Sequence, residues 1–147
     1  MIPRLALGCA AVFLCAAGLS AGEKKLMHCF AFTAVAGASD AEWQAFFRAT
    51  DELPGKIPGV THVWYGKLRA PMSVYGVDAS TRKELAGGAK SAKGDVSRAV
   101  RQWGVCMEMK DAATLKTYEA SPAHKAWVDV YSKVRVEGTT TFDLLGQ

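Results

Sequence analysis

Four stretches of the chain alternate apolar and other side chains with a period of two, and three carry apolar residues at helical spacing. In Leu26 to Thr33, Leu26, His28, Phe30 and Phe32 share one face and Met27, Cys29 and Ala31 the other. Both faces are largely apolar, so both need covering. Ser39-Asp40-Ala41-Glu42 follows, a capping box that opens a helix carrying Trp43, Phe46, Phe47 and Leu53, with Pro54-Gly55 as its stop. Val60 to Leu68 reads as a second strand, with Val60, His62, Trp64 and Gly66 on one face and Thr61, Val63 and Tyr65 on the other. Trp103 to Met109 is a third. Asp111 caps a helix bearing Leu115 and Tyr118, and Ser121-Pro122 starts another that presents Trp127, Val130, Tyr131 and Val134. Gly138 is read as its stop, and Thr139 to Leu145 as the last strand.

The element order is β-α-β-β-α-β, an α+β chain of ferredoxin-like arrangement. Positions 69–101 interrupt it. Gly, Ser, Ala, Lys and Arg mix there without period, and Gly87-Gly88 and Gly94 act as breakers. That composition predicts a long mobile loop over 68–101, either disordered or a lid.

Composition changes the picture in two places. Half of the 147 residues are hydrophobic, 22% are charged and the net charge is +4, with the basic residues spread out; one globular domain is expected and nucleic acid is not an indicated partner. Positions 1–22 stand apart: Arg4, an uncharged apolar run from Leu5 to Leu19, then Ser20-Ala21-Gly22. This is the order of a secretory signal peptide, short for a membrane span, which leaves 23–147 as the mature domain in the periplasm or outside the cell. An uncleaved anchor and a lipidated cysteine are the alternatives. Cleavage removes Cys9 and Cys15 and leaves Cys29 and Cys106, which lack metal or thioredoxin spacing. Two reduced, buried thiols are the default; a cross-strand disulfide requires a register that brings their Cα atoms within roughly 7 Å.

The candidate chemistry gathers at Tyr118 to His124. A phenol in the last turn of one helix and an imidazole in the first turn of the next can be aimed at one volume, a proton-transfer pair. The positive end of the helix dipole would keep His124 neutral. The competing reading is a half-buried tyrosine and a capping histidine. His62, in an aromatic strand, is read as a packed sheet residue.

These residues resemble the stress-responsive dimeric α/β-barrel family, the Dabb domain. The matching pieces are Leu26 to Phe32, Leu53-Pro54-Gly55-Lys56-Ile57-Pro58-Gly59-Val60, Val63-Trp64-Tyr65-Gly66-Lys67, Tyr118 through His124, Trp127-Val128 and Phe142-Asp143. The resemblance implies a ferredoxin-like protomer that forms a homodimeric α/β barrel through its sheet, and Met27, Ala31, Val63 and Tyr65 are the expected contact face. A plant polyketide cyclase of the family needs neither metal nor cofactor. Its catalytic tyrosine and histidine fall on Tyr118 and His124, a pocket histidine on His28 and two pocket phenylalanines on Phe46 and Phe47; Trp103 stands where it has another histidine. The expected site is therefore His124 and Tyr118 as catalytic pair, with His28, Phe30, Phe46, Phe47, Trp103 and Trp127 lining a pocket between helices and sheet, without cofactor or metal. Three functions compete: an exported homodimer that binds a small apolar or carbonyl-containing ligand, a cofactor-independent lyase or cyclase, and a purely structural stress protein.

Overall fold

The structure is a computed structural model that describes residues 24–146; the signal-peptide expectation for 1–22 lies outside the described residues. Strand β1 (Leu26–Ala34) is followed by α1 (Asp40–Asp51), the single turn α2 (Leu53–Lys56), β2 (Val60–Val77), α3 (Ala79–Ala86), β3 (Val96–Met109), α4 (Ala113–Ala120), α5 (Pro122–Val134) and β4 (Arg135–Leu145). The four strands form one antiparallel sheet in the order β2-β3-β1-β4. This is the ferredoxin-like α+β protomer that the element order predicts.

The capping box of α1 is complete: the Ser39 hydroxyl accepts from the Glu42 amide, and the Glu42 carboxylate accepts from the Ser39 backbone at 2.8 Å. Helices α1 and α5 cover the sheet face made by Phe30, Phe32, Val105, Met107 and Met109, all buried, together with Phe46 and Tyr131. Thr50 ties the two helices: its hydroxyl donates to the Phe46 carbonyl at 2.7 Å and accepts from Trp127 Nε1 at 2.9 Å.

Four expectations are corrected. The span 68–101 is not a loop. β2 runs on to Val77 and β3 begins at Val96, so the two strands form a long two-stranded arm tipped by α3. The period was hidden by an interruption. Leu68 to Pro71 stand opposite the lone Gln102, a bulge where Pro71 has no N–H to give the ladder, and the pairing resumes at Met72 with Arg101. Asp78 caps α3, accepting from the Ser80 hydroxyl and from the Thr81 amide and hydroxyl; these bonds hold its carboxyl below the usual range.

The second correction concerns which face β2 presents. Val60 pairs with Met109 and His62 with Glu108, so Thr61 is an extra residue and the alternation shifts by one there. Val63 and Tyr65 therefore pack against the helix-side core, while His62 and Trp64 stand on the uncovered face. That face carries Trp64, Phe142 and Leu144, exposed at 47%, 49% and 57%.

Third, Gly138 does not end α5. The helix passes into β4 at Arg135, and Gly138, with φ +88, sits at an irregularity where three residues of β4 oppose Thr33 alone. Only glycine takes that φ without strain.

Cys29 and Cys106 face each other in the β1–β3 register and are joined by a disulfide, with Cα atoms 4.1 Å apart. The default of two reduced thiols is thereby replaced. The register that decides the matter is set by the apolar pattern of the whole sheet and is not written in either cysteine's neighbourhood.

Candidate functional site

The Ser121-Pro122 joint aims two aromatic side chains at one cavity. The Ser121 hydroxyl accepts from the Ala123 amide at 3.1 Å and Pro122 takes the first helical position, so α4 ends and α5 begins within one residue. Tyr118, in the last turn of α4, and His124, in the first turn of α5, lie with ring centroids 4.1 Å apart. Trp127, one turn further along α5, stacks on His124 at 6.0 Å. From the sheet side, His28 reaches the same space, 5.8 Å from both Tyr118 and Phe30.

The cavity holds about 190 Å³ and is lined chiefly by His28, Phe30, Tyr118, His124, Trp127 and Tyr131. Val128, Arg135, Thr139 and Thr141 complete its wall, with Glu119 at the α4 end. Its size suits a small molecule, below the range that takes drug-sized ligands.

Protonation follows from burial and partners. His124 is held below the ordinary histidine value of 6.5, chiefly by desolvation, with repulsion from His28 adding to it; the Glu119 carbonyl opposes the shift. Burial is the main cause of the ring's lowered value. Its Nδ1 lies 3.4 Å from that carbonyl oxygen, so a proton placed on Nδ1 leaves the lone pair on Nε2. Burial raises Tyr118 well above the usual phenol range, which keeps its hydroxyl a donor at neutral pH. His28 Nδ1 is 2.7 Å from Asp143 Oδ1; the two residues are opposed across the β1–β4 ladder.

Of the predicted site residues, His28, Phe30, Tyr118, His124 and Trp127 meet here. Phe46, Phe47 and Trp103 do not. Phe46 is fully buried in the central core, and Phe47 and Trp103 join Trp43 and Tyr65 in a separate aromatic group, with Trp43 and Trp103 stacked at 4.4 Å. The 68–101 arm rises from β2 and β3, away from the cavity beside β4, and none of its residues lines it. Sequence reasoning missed Asp143, Tyr131, Arg135 and the threonines of β4. Their signal was the pairing of His28 with Asp143, readable only once the register of β4 is known.

A second cavity of about 620 Å³ opens on the uncovered sheet face, between Trp64, Leu68, Met72, Gly104, Cys106 and Phe142. It is the larger of the two, but its lining is mainly apolar and holds no imidazole or carboxylate. Among the described residues no three His, Cys, Asp or Glu side chains gather as metal ligands, and no helix is long and apolar enough to cross a membrane.

A scan against protein-family models found no match, and neither did a search of curated proteins. Solved structures do match. A Dabb family protein with a ferredoxin-like fold from Mesorhizobium loti is 18% identical, aligns over 85% of this chain and 99% of its own, and gives a TM-score of 0.54. A dimeric ferredoxin-like protein of unknown function from Jannaschia sp. is 17% identical over 82% of this chain and 97% of its own, with a TM-score of 0.53. Hydroxynitrile lyase from Passiflora edulis is 10% identical over 86% and 95%, with a TM-score of 0.56. At these identities the likeness defines the fold: a Dabb-like, ferredoxin-like α+β protomer.

Proposed function

We propose that this chain binds a small carbonyl compound in the His28–Tyr118–His124 cavity and moves a proton on it without a cofactor, as a lyase or cyclase does. The observation that carries this reading is the contact of a half-buried His124 ring, its value lowered by desolvation, with the buried Tyr118 phenol, 4.1 Å between centroids, in a cavity walled on one side by Phe30 and Trp127. His124 Nε2 takes a proton from the carbon next to the carbonyl. The negative charge that builds on the carbonyl oxygen is met by the Tyr118 O–H, which is pre-aimed and already desolvated. His28, anchored by Asp143, faces the same space and orients the ligand. The lyase from Passiflora edulis shares this fold, which supports an enzyme on such a scaffold without fixing the reaction.

The active form in this reading is an exported homodimer. The Cys29–Cys106 bond suits an oxidising compartment. The uncovered apolar sheet face around Trp64, Phe142 and Leu144 suits a second copy, and the neighbour from Jannaschia sp. is dimeric.

The test begins with mass spectrometry of small molecules released from the purified chain. The compound identified is then offered to the native chain and to the His124→Gln and Tyr118→Phe variants. Losses of about 100-fold or more in each variant support proton transfer. Full activity in both removes it and leaves a binding protein.

A further inference from the structure

Deep in the same cavity, away from His124, the structure holds polar groups that the proposed chemistry does not use. Tyr131 is 4% exposed and its hydroxyl has no hydrogen-bond partner among the described residues. The same is true of the buried Nε of Arg135, whose guanidinium lies over the Tyr131 ring, 4.8 Å from its centroid. A second guanidinium, that of Arg101, lies outside the cavity lining. Arg101 is only 8% exposed, and its recorded partners are neutral: the Thr33 hydroxyl at 3.0 Å and the Thr140 hydroxyl at 3.4 Å. The charges of both arginines act on the Tyr131 hydroxyl.

The salt bridges among the described residues involve Lys25, His28, Lys56 and Lys110, and neither arginine takes part in one. Buried cations and unpaired buried donors are costly unless something answers them. Glu119, the one carboxylate in the cavity lining, is an exposed residue beside His124, and Asp143 is engaged with His28.

We infer that Tyr131 and Arg135 form an anion subsite that takes the carboxylate of the ligand whose carbonyl meets Tyr118 and His124. The inference rests on the proposed function for the carbonyl end and on these unpaired donors for the acid end. Tyr131 lies seven residues beyond His124 on α5, about 10 Å along the helix. The ligand class is thus a short oxo acid with its two polar groups several carbons apart, and the aromatic wall of Phe30 and Trp127 packs against the carbons between them.

The experiment compares 5-oxohexanoate with its neutral amide, 5-oxohexanamide, by titration calorimetry on the full chain. The acid is expected to bind at least tenfold more tightly, and Arg135→Gln is expected to abolish that preference, the acid losing far more affinity than the amide. Tyr131→Phe is expected to reduce the preference severalfold. Equal affinity of acid and amide for the native chain overturns the subsite, and so does absence of binding by either at 10 mM. A preference that survives in a folded Arg135→Gln chain overturns it as well. The native comparison decides the matter should that variant not fold. A chain that prefers the acid but shows no His124-dependent turnover keeps the subsite and loses the proton-transfer reading, so the two fail separately.

Discussion

His28 and Asp143 are direct partners across the β1–β4 ladder, and the carboxylate holds the imidazole through Nδ1 at 2.7 Å. The bond presents the other ring nitrogen to the cavity and fixes which nitrogen carries the proton. Asp143→Asn should therefore disturb chemistry more than stability. The Asp143 side chain is 39% exposed, so the stability loss should stay within about 1 kcal/mol. Nitrogen-15 NMR of the His28 ring should show the Nδ1 proton lost or shared with Nε2. An unchanged tautomer in the variant would show that the carboxylate does not orient the ring.

His124 gives a pH dependence with a definite sign. Its folded value lies below 6.5, so between the two values the unfolded chain binds the extra proton. Its contribution to stability is full above 6.5 and is lost as pH falls through the folded value. The acid limb of kcat/KM should likewise lie below 6.5 and vanish in His124→Gln. An acid limb above 6.5 would falsify the desolvated-base assignment.

The Thr50 hydroxyl is the acceptor for the buried Trp127 indole N–H. Thr50→Val keeps the shape and leaves that donor unpaired, which should cost about 1–3 kcal/mol. Thr50→Ser should recover most of it. Urea denaturation of the three chains checks the order.

Removing the Cys29–Cys106 bond with paired alanines should lower stability by about 2–4 kcal/mol, since the bond closes a long loop in the unfolded chain. Alkylation of the unreduced chain in denaturant should add no label at either cysteine. Two labels would show the bond unformed.

The uncovered sheet face should bring two copies together. Sedimentation equilibrium at micromolar concentration should give twice the protomer mass, and Phe142→Asp, a charge placed amid that face, should give the single mass. A native chain that sediments as a clean monomer removes the barrel.

The parts legible in the sequence were those set by local rules. The capping box at Ser39, the Ser121-Pro122 joint and the alternation of β1 all depend on a few neighbouring residues, and all appear where the pattern puts them. What escaped depended on pairing between distant strands. The extra residue at Thr61 reversed the faces of Val63 and Trp64, and the bulge before Met72 disguised a strand as a loop. The site divides the same way. Tyr118 and His124 follow from one local bend, whereas Asp143, Tyr131 and Arg135 enter through the register of β4 and the length of α5. Phe46 and Phe47 came from resemblance alone, and the helix turns them into the core.

The Cys29–Cys106 bond has a consequence for how this chain is broken down. The two cysteines are 77 residues apart, and everything from α1 to the tip of the arm hangs between them. A protease that nicks the arm near Gly87 or Gly94 cuts the backbone once but releases no fragment, because both halves stay tethered through sulfur and through the paired strands. Such a nicked chain would run at full mass without reductant and split in two with it, and only the reduced form would be cleared as pieces.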